Sequence, residues 1–185
     1  MKKLLIAVLV LTASASFAQQ NALRFSPVGV NEVGATVGIS YERYLNQKLS
    51  LVFPLDVVFR QHDRFWNAEE VGSPAYFYFT PGFKFYPGSP ERPVKYAIGA
   101  NLALGSGNRY YYTSDYEYGQ ERTYAKAINT RLGVMVTNYV NFDITKRFTM
   151  GINFGLGLLY MDQSKYKTND LNGTVQLGTN FGFKF

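Results

Sequence analysis

The sequence predicts an all-β fold, an eight-stranded antiparallel transmembrane β-barrel, and three observations predict it. Apolar and polar residues alternate with a period of two in eight successive runs. The apolar face carries more large side chains than so narrow a barrel could enclose. Short turns alternate with longer polar connections.

Residues 1–18 read as an export signal. Lys2 and Lys3 supply a positive start, Leu4 to Leu11 an apolar stretch, and Ser16-Phe17-Ala18 a small-x-small cleavage site. Cleavage before Gln19 leaves 167 residues as one domain, 19–185. The chain has no cysteine, which excludes a lipoprotein anchor, a disulfide frame and thiolate metal chemistry. A membrane helix needs about 18 or more consecutive apolar residues. The longest uncharged stretch after the signal, Phe148–Met161, has 14 and is broken by glycines and an asparagine, so helical spanning is excluded.

The alternation is clearest at the C-terminus. Leu171, Val175, Leu177, Phe181, Phe183 and Phe185 share one face, and Asn172, Thr174, Gln176, Gly178, Asn180, Gly182 and Lys184 the other. Only a strand presents that pattern. In the run before it, Phe148, Met150, Ile152, Phe154, Leu156, Leu158 and Tyr160 oppose Thr149, Gly151, Asn153, Gly155 and Gly157. The same division runs through 127–143, 94–105, 75–86, 48–60 and 33–45, and more weakly through 21–30. Most runs reach the roughly 9–11 residues that a tilted strand needs to cross a bilayer.

Forty Leu, Ile, Val, Met, Phe and Tyr side chains lie on the apolar faces. Eight strands enclose just enough space for side chains to fill, so this face must look outward, into lipid. Eleven glycines lie on the opposite face with Ser, Thr, Asn and a few charges, which suits a narrow polar interior. The 30 Tyr and Phe residues suit aromatic girdles. Arg43 is the one charge on the lipid side, and it stands near a turn. Pro54 and Pro81 fall inside strands, where each must mark a bulge or a missing ladder bond.

The connections at Asn46-Gln47, Pro87–Pro93 and Thr145-Lys146 are short, whereas 61–74, 106–123 and 162–170 are long. Outer-membrane barrels put short turns in the periplasm and long loops outside, which places both termini in the periplasm.

Two stretches carry a family resemblance. The hairpin Ser40-Tyr41-Glu42-Arg43-Tyr44-Leu45-Asn46-Gln47-Lys48-Leu49-Ser50-Leu51 resembles one found in small OmpA/OmpX-like outer-membrane barrels. The C-terminal strand resembles the signal read by the outer-membrane assembly machinery, matched here by Gln176, Gly178, Phe181, Phe183 and Phe185. The resemblance implies the same barrel and that machinery as a partner. It names no activity. With the chain stopping at Phe185, no periplasmic peptidoglycan-binding domain is expected.

Candidate chemistry is sparse. His62, the single histidine, stands beside Asp63 in the second outer loop, the long connection 61–74. A catalytic base needs a supported nucleophile or paired acids, and no serine stands two residues on. His62 therefore reads as a solvated loop residue, and neither catalytic residues, a metal site nor a cofactor is expected. The third outer loop, the long connection 106–123, interleaves Tyr110, Tyr111, Tyr112, Tyr116 and Tyr118 with charges such as Arg109. It reads either as a strand extension with an interfacial girdle or as a surface-binding loop.

Eight charges point inward by parity: Arg24, Glu42, Asp56, Arg60, Lys84, Lys95, Arg131 and Lys184. Porins use about 16–18 strands to keep an open lumen, so these are expected to form an ionic plug centred on Glu42. After the signal, 17 basic and 13 acidic residues remain, and the anions nearest an exported chain are lipid phosphates rather than nucleic acid. The expected protein is a monomeric outer-membrane barrel with a structural or surface-interaction role, bounded by lipid and lipopolysaccharide. A narrow solute pore and an outer-rim lipid-modifying enzyme are the alternatives.

Overall fold

The computed structural model describes residues 21–64, 67–70, 76–89, 92–112, 124–164 and 171–185. The expected export signal lies outside them. The described strands are β1 (Asn21–Asn31), β2 (Gly34–Tyr44), β3 (Leu49–Arg64), β4 (Asn67–Glu70) and β5 (Tyr76–Phe79). They continue with β6 (Gly82–Phe85), β7 (Val94–Tyr112), β8 (Tyr124–Asp143), β9 (Phe148–Ser164) and β10 (Asn172–Lys184). All pairings are antiparallel, and β1 pairs with both β2 and β10, which closes the sheet. β5 and β6, end to end, form one stave between β3 and β7, so the barrel has eight staves. β4 pairs only with the tip of β3.

Parity is as the alternation requires. Phe83, Phe154 and Leu156 are 55%, 41% and 55% exposed, while Lys84, Gly155 and Thr149 are buried. Without water around them, unpaired backbone groups would cost several kcal/mol each, and closure removes the edges that would carry them.

Three of the reversals share a chemistry. Asn46 Oδ1 accepts from the Lys48 and Leu49 amides at 2.8 and 2.9 Å. Thr145 Oγ1 accepts from Arg147 and Phe148 at 3.2 and 2.9 Å, and Asn31 Oδ1 from Val33 and Gly34 at 2.9 and 3.0 Å. A short polar side chain thus closes each reversal locally.

Neither proline makes a bulge. Leu55 pairs with Phe79 and Val52 with Gly82, so the register runs unbroken across Thr80-Pro81. Thr80 N donates to Pro54 O at 3.0 Å, and Pro54 has no N–H to return. The Asn101 side-chain amide donates to Thr80 O instead, at 3.3 Å. One-residue shifts occur elsewhere: between Ser26 and Gly29 in β1, in β3 opposite Ala35 and Thr36, and in β9. In β9, Leu132 pairs with Met161 and Gly133 with Leu159, leaving Tyr160 as the extra residue.

Close approach explains two of the inward glycines. A Cβ on Gly99 would sit 3.0 Å from the Tyr139 ring, and one on Gly105 would sit 3.0 Å from the Tyr78 ring. In a bore this narrow, a tyrosine on one stave requires a glycine on another.

Candidate functional site

The barrel interior holds the chemistry, in two clusters separated by a small cavity. At the end that carries the tight turns and both described chain ends, Glu42 is fully buried on β2. Its Oε2 accepts from Arg24 Nε at 2.9 Å and Lys84 Nζ at 3.1 Å. Its Oε1 accepts from Ser50 and Tyr86 hydroxyls, both at 2.6 Å. Arg24 reaches further, to Asn141, Thr149, Asn180 and Tyr44 at 3.1–3.2 Å. Lys84 Nζ also stands 4.0 Å above the Tyr139 ring centroid, a cation–π contact. Tyr44, Tyr86, Ala97 and Tyr139 pack together beside these groups.

Lys95 and Lys184 do not join Glu42, contrary to the expectation of a single plug. Both bind Asp143, at 2.8 and 2.7 Å. Asp143 ends β8 on the inward parity, closer to the rim, where Lys95 and Lys184 meet it.

At the other end, Arg131 bridges Glu32 and Asp162, with Nε 3.1 Å from Asp162 Oδ1. Asn129 Nδ2 donates to the same Asp162 oxygen at 2.8 Å. Glu32, in the first loop-end turn, also accepts from Thr174 Oγ1 at 2.9 Å and from the Val175 amide at 3.3 Å. Tyr76 and Tyr78 fill the bore here, with hydroxyls bonded to Asn129 and Thr174 at 3.0 Å each. Val33, Val58, Ala103 and Leu159 pack around them.

Between the clusters lies a cavity of about 30 Å³, lined by Arg24, Ser40, Asp56, Lys84, Asn153 and Gln176 among others. A water needs roughly 10–15 Å³ of such space, so this cavity has room for one or two. Asp56 accepts from Gln176 Nε2 at 2.7 Å and, among the described residues, forms no ion pair. Because a buried charge without a counter-ion is costly, Asp56→Asn is expected to leave the unfolding midpoint in lipid vesicles unchanged or raised. A loss above about 1 kcal/mol would show that the carboxylate's charge is itself stabilising.

Of the remaining expected site residues, Arg60 lies on β3, and its side chain is outside the described ones. Gln176 and Gly178 face inward, whereas Phe181, Phe183 and Phe185 project outward. Arg109, Tyr110, Tyr111 and Tyr112 are the last residues of β7 and pair with Ala127, Lys126, Ala125 and Tyr124, so the strand extends well past 105. Tyr116 and Tyr118 lie outside the described residues. The backbone of His62 pairs with Glu70 in the β3–β4 hairpin. Among the described residues, no group of three or more metal-ligating side chains is placed to hold an ion.

Three acids were missing from the expected set. Asp143 follows the inward parity of its strand and could have been read from it. Glu32 sits in a turn, where parity has no meaning. Asp162 turns inward only because Tyr160 is an inserted residue.

No protein-family model matches the sequence, and no curated protein does. Solved structures do resemble it. Neisserial surface protein A is 14% identical, with 90% of this chain and 96% of that one covered at a TM-score of 0.53. Ail of Yersinia pestis is 12% identical, covering 90% and 99% at 0.53. A major outer membrane protein of Thermus thermophilus is 9% identical, covering 91% and 100% at 0.57. Such identities speak to architecture alone, and the architecture agrees with the closed register, the inward glycines and the outward apolar belt. The chain has the fold of the small OmpA/OmpX-like outer-membrane β-barrels.

Proposed function

We propose that this barrel is a closed, non-catalytic scaffold in the outer membrane, with its termini and tight turns in the periplasm and its long loops displayed as an interaction surface. The observation that carries the reading is the filled bore. Among the described residues, the Glu42 and Arg131 clusters obstruct the bore towards opposite ends, and a water-sized cavity lies between them. What such a barrel can offer the cell lies at its rims. β7 carries Arg109, Tyr110, Tyr111 and Tyr112 as its last four residues, its backbone paired with β8 up to Tyr124, and tyrosine as a residue type supplies broad amphipathic contact area. Tyr116 and Tyr118 follow them in sequence.

The proposal includes a monomer bounded by lipid and lipopolysaccharide. It also makes Gln176, Gly178, Phe181, Phe183 and Phe185 the segment handed to the assembly machinery, the last three presenting their rings on the lipid side.

Single-channel recording in planar bilayers tests the closed bore. The wild-type protein is expected to give no steady conductance, and a reproducible open level would replace the scaffold by a pore. Cross-linking on intact cells tests the display. Alanine at Tyr110, Tyr111, Tyr112, Tyr116 and Tyr118 should abolish any adduct while the folded band on an unheated gel persists. An adduct that survives these changes places the contact elsewhere.

A further inference from the structure

The barrel's positive charge is concentrated at one end. Dividing the mature side-chain charges by chain order, according to whether the nearest connection is a tight turn or a loop-end one, gives nine cations against three acids on the turn side. At the loop end, eight cations face ten acids. The excess is therefore six at one rim and minus two at the other, a polarity that the overall balance of four conceals.

Four of the turn-end cations serve no interior cluster. Lys48 lies in the β2–β3 turn, Arg92 in the β6–β7 turn, and Lys146 and Arg147 in the β8–β9 turn, so all three turns at this end contribute. All four are exposed, and no exposed carboxylate side chain accompanies them among the described residues. Of the three acids, Glu42 is buried, Asp143 is occupied by Lys95 and Lys184, and Glu91, next to Arg92 in sequence, lies outside the described residues. Just inside this ring stands the lipid-facing belt, with Phe85, Tyr96, Ile144 and Phe183 all 45–56% exposed. A cation at the margin of such a belt stands at headgroup height, where the available counter-charges are lipid phosphates.

We propose that the turn-end ring is a contact surface for anionic phospholipids of the surrounding leaflet, drawn by Lys48, Arg92, Lys146 and Arg147. The apolar belt fixes the depth of the ring, and the four cations then enrich acidic headgroups around that rim. Interior ion pairs take no part, so the surface can be altered without unplugging the bore. The inference rests on the membrane reading, and the test separates the two.

The experiment is native mass spectrometry of the full mature chain, released from micelles holding equimolar phosphatidylcholine and phosphatidylglycerol. The wild type is expected to retain phosphatidylglycerol over phosphatidylcholine by about tenfold, and the preference should fall with added salt. The quadruple variant Lys48→Gln, Arg92→Gln, Lys146→Gln, Arg147→Gln should retain the two lipids equally. A control with Arg109, Lys126, Lys165 and Lys167 changed to Gln should keep the preference. Equal retention by the wild type, or a preference lost in the loop-end control and kept in the turn-end variant, overturns the proposal. Failure of the wild type to enter micelles as a folded barrel would instead overturn the membrane reading itself.

Discussion

Replacing Glu42 with glutamine is expected to lower the barrel's unfolding free energy by about 3–5 kcal/mol. The carboxylate lies fully buried between Arg24 and Lys84 and accepts two further hydrogen bonds, from Ser50 and Tyr86. Glutamine keeps the shape and one acceptor but leaves two buried cations without a counter-charge. Its NH₂ would also have to face donors that now converge on an oxygen. Denaturant titration in lipid vesicles, read as the folded band on an unheated gel, measures the effect. Pairing the change with Lys84→Met should return part of the loss, because one orphaned charge goes with it. An unchanged midpoint for Glu42→Gln would mean that water, not the protein, balances these cations.

Arg131→Met should be as damaging, by about 3–5 kcal/mol, for the opposite reason. Here one guanidinium lies between two acids, Glu32 and Asp162, so its loss leaves like charges facing each other in the bore. Glu32 also anchors the β1–β2 turn to β10 through Thr174 and Val175. Local fraying at the loop end should therefore accompany the global loss, seen as faster amide exchange at Val33 and Gly34. The triple change Arg131→Met, Glu32→Gln, Asp162→Asn removes all three charges and should recover most of the stability. If it proves as unstable as the single variant, packing and not charge makes Arg131 necessary.

Much of the barrel was legible because lipid simplifies the reading. A strand between lipid and a narrow polar bore must alternate strictly, and β10 does so from Asn172 to Lys184 without a break. Glycines opposite tyrosines, as at Gly99 and Gly105, mark the inner face equally well. Strand ends were less legible. Beyond the bilayer the demand for alternation lapses, and β7 runs on to Tyr112, where a loop was expected from 106. The interior network was legible in its members and not in its pairings. Parity brings Arg24, Glu42, Lys84, Lys95 and Lys184 to one end of the bore, but whether a lysine meets Glu42 or Asp143 depends on depth and reach. Asp162 was invisible for a separate reason: an inserted residue cannot be seen in one strand alone, because a bulge is defined by its partner's register.

The central claim is that this barrel is inside out, and neighbouring residues on β9 test it. Phe154 and Asn153 share depth and sequence context, yet Phe154 faces outward and Asn153 lines the interior cavity. A lysine on the lipid face near the midplane costs about 2–4 kcal/mol, since its ammonium sheds water with no partner in exchange. Inside, the same ammonium meets a cavity lined by Asp56 and Gln176 as well as by Arg24 and Lys84, so crowding and like charge are its costs, offset by one carboxylate. The measurement is the unfolding free energy of Phe154→Lys and Asn153→Lys, refolded side by side in lipid vesicles. Phe154→Lys should be the less stable by a clear margin. A larger loss for Asn153→Lys, with a wild type that stays folded and monomeric in plain buffer, would contradict the account.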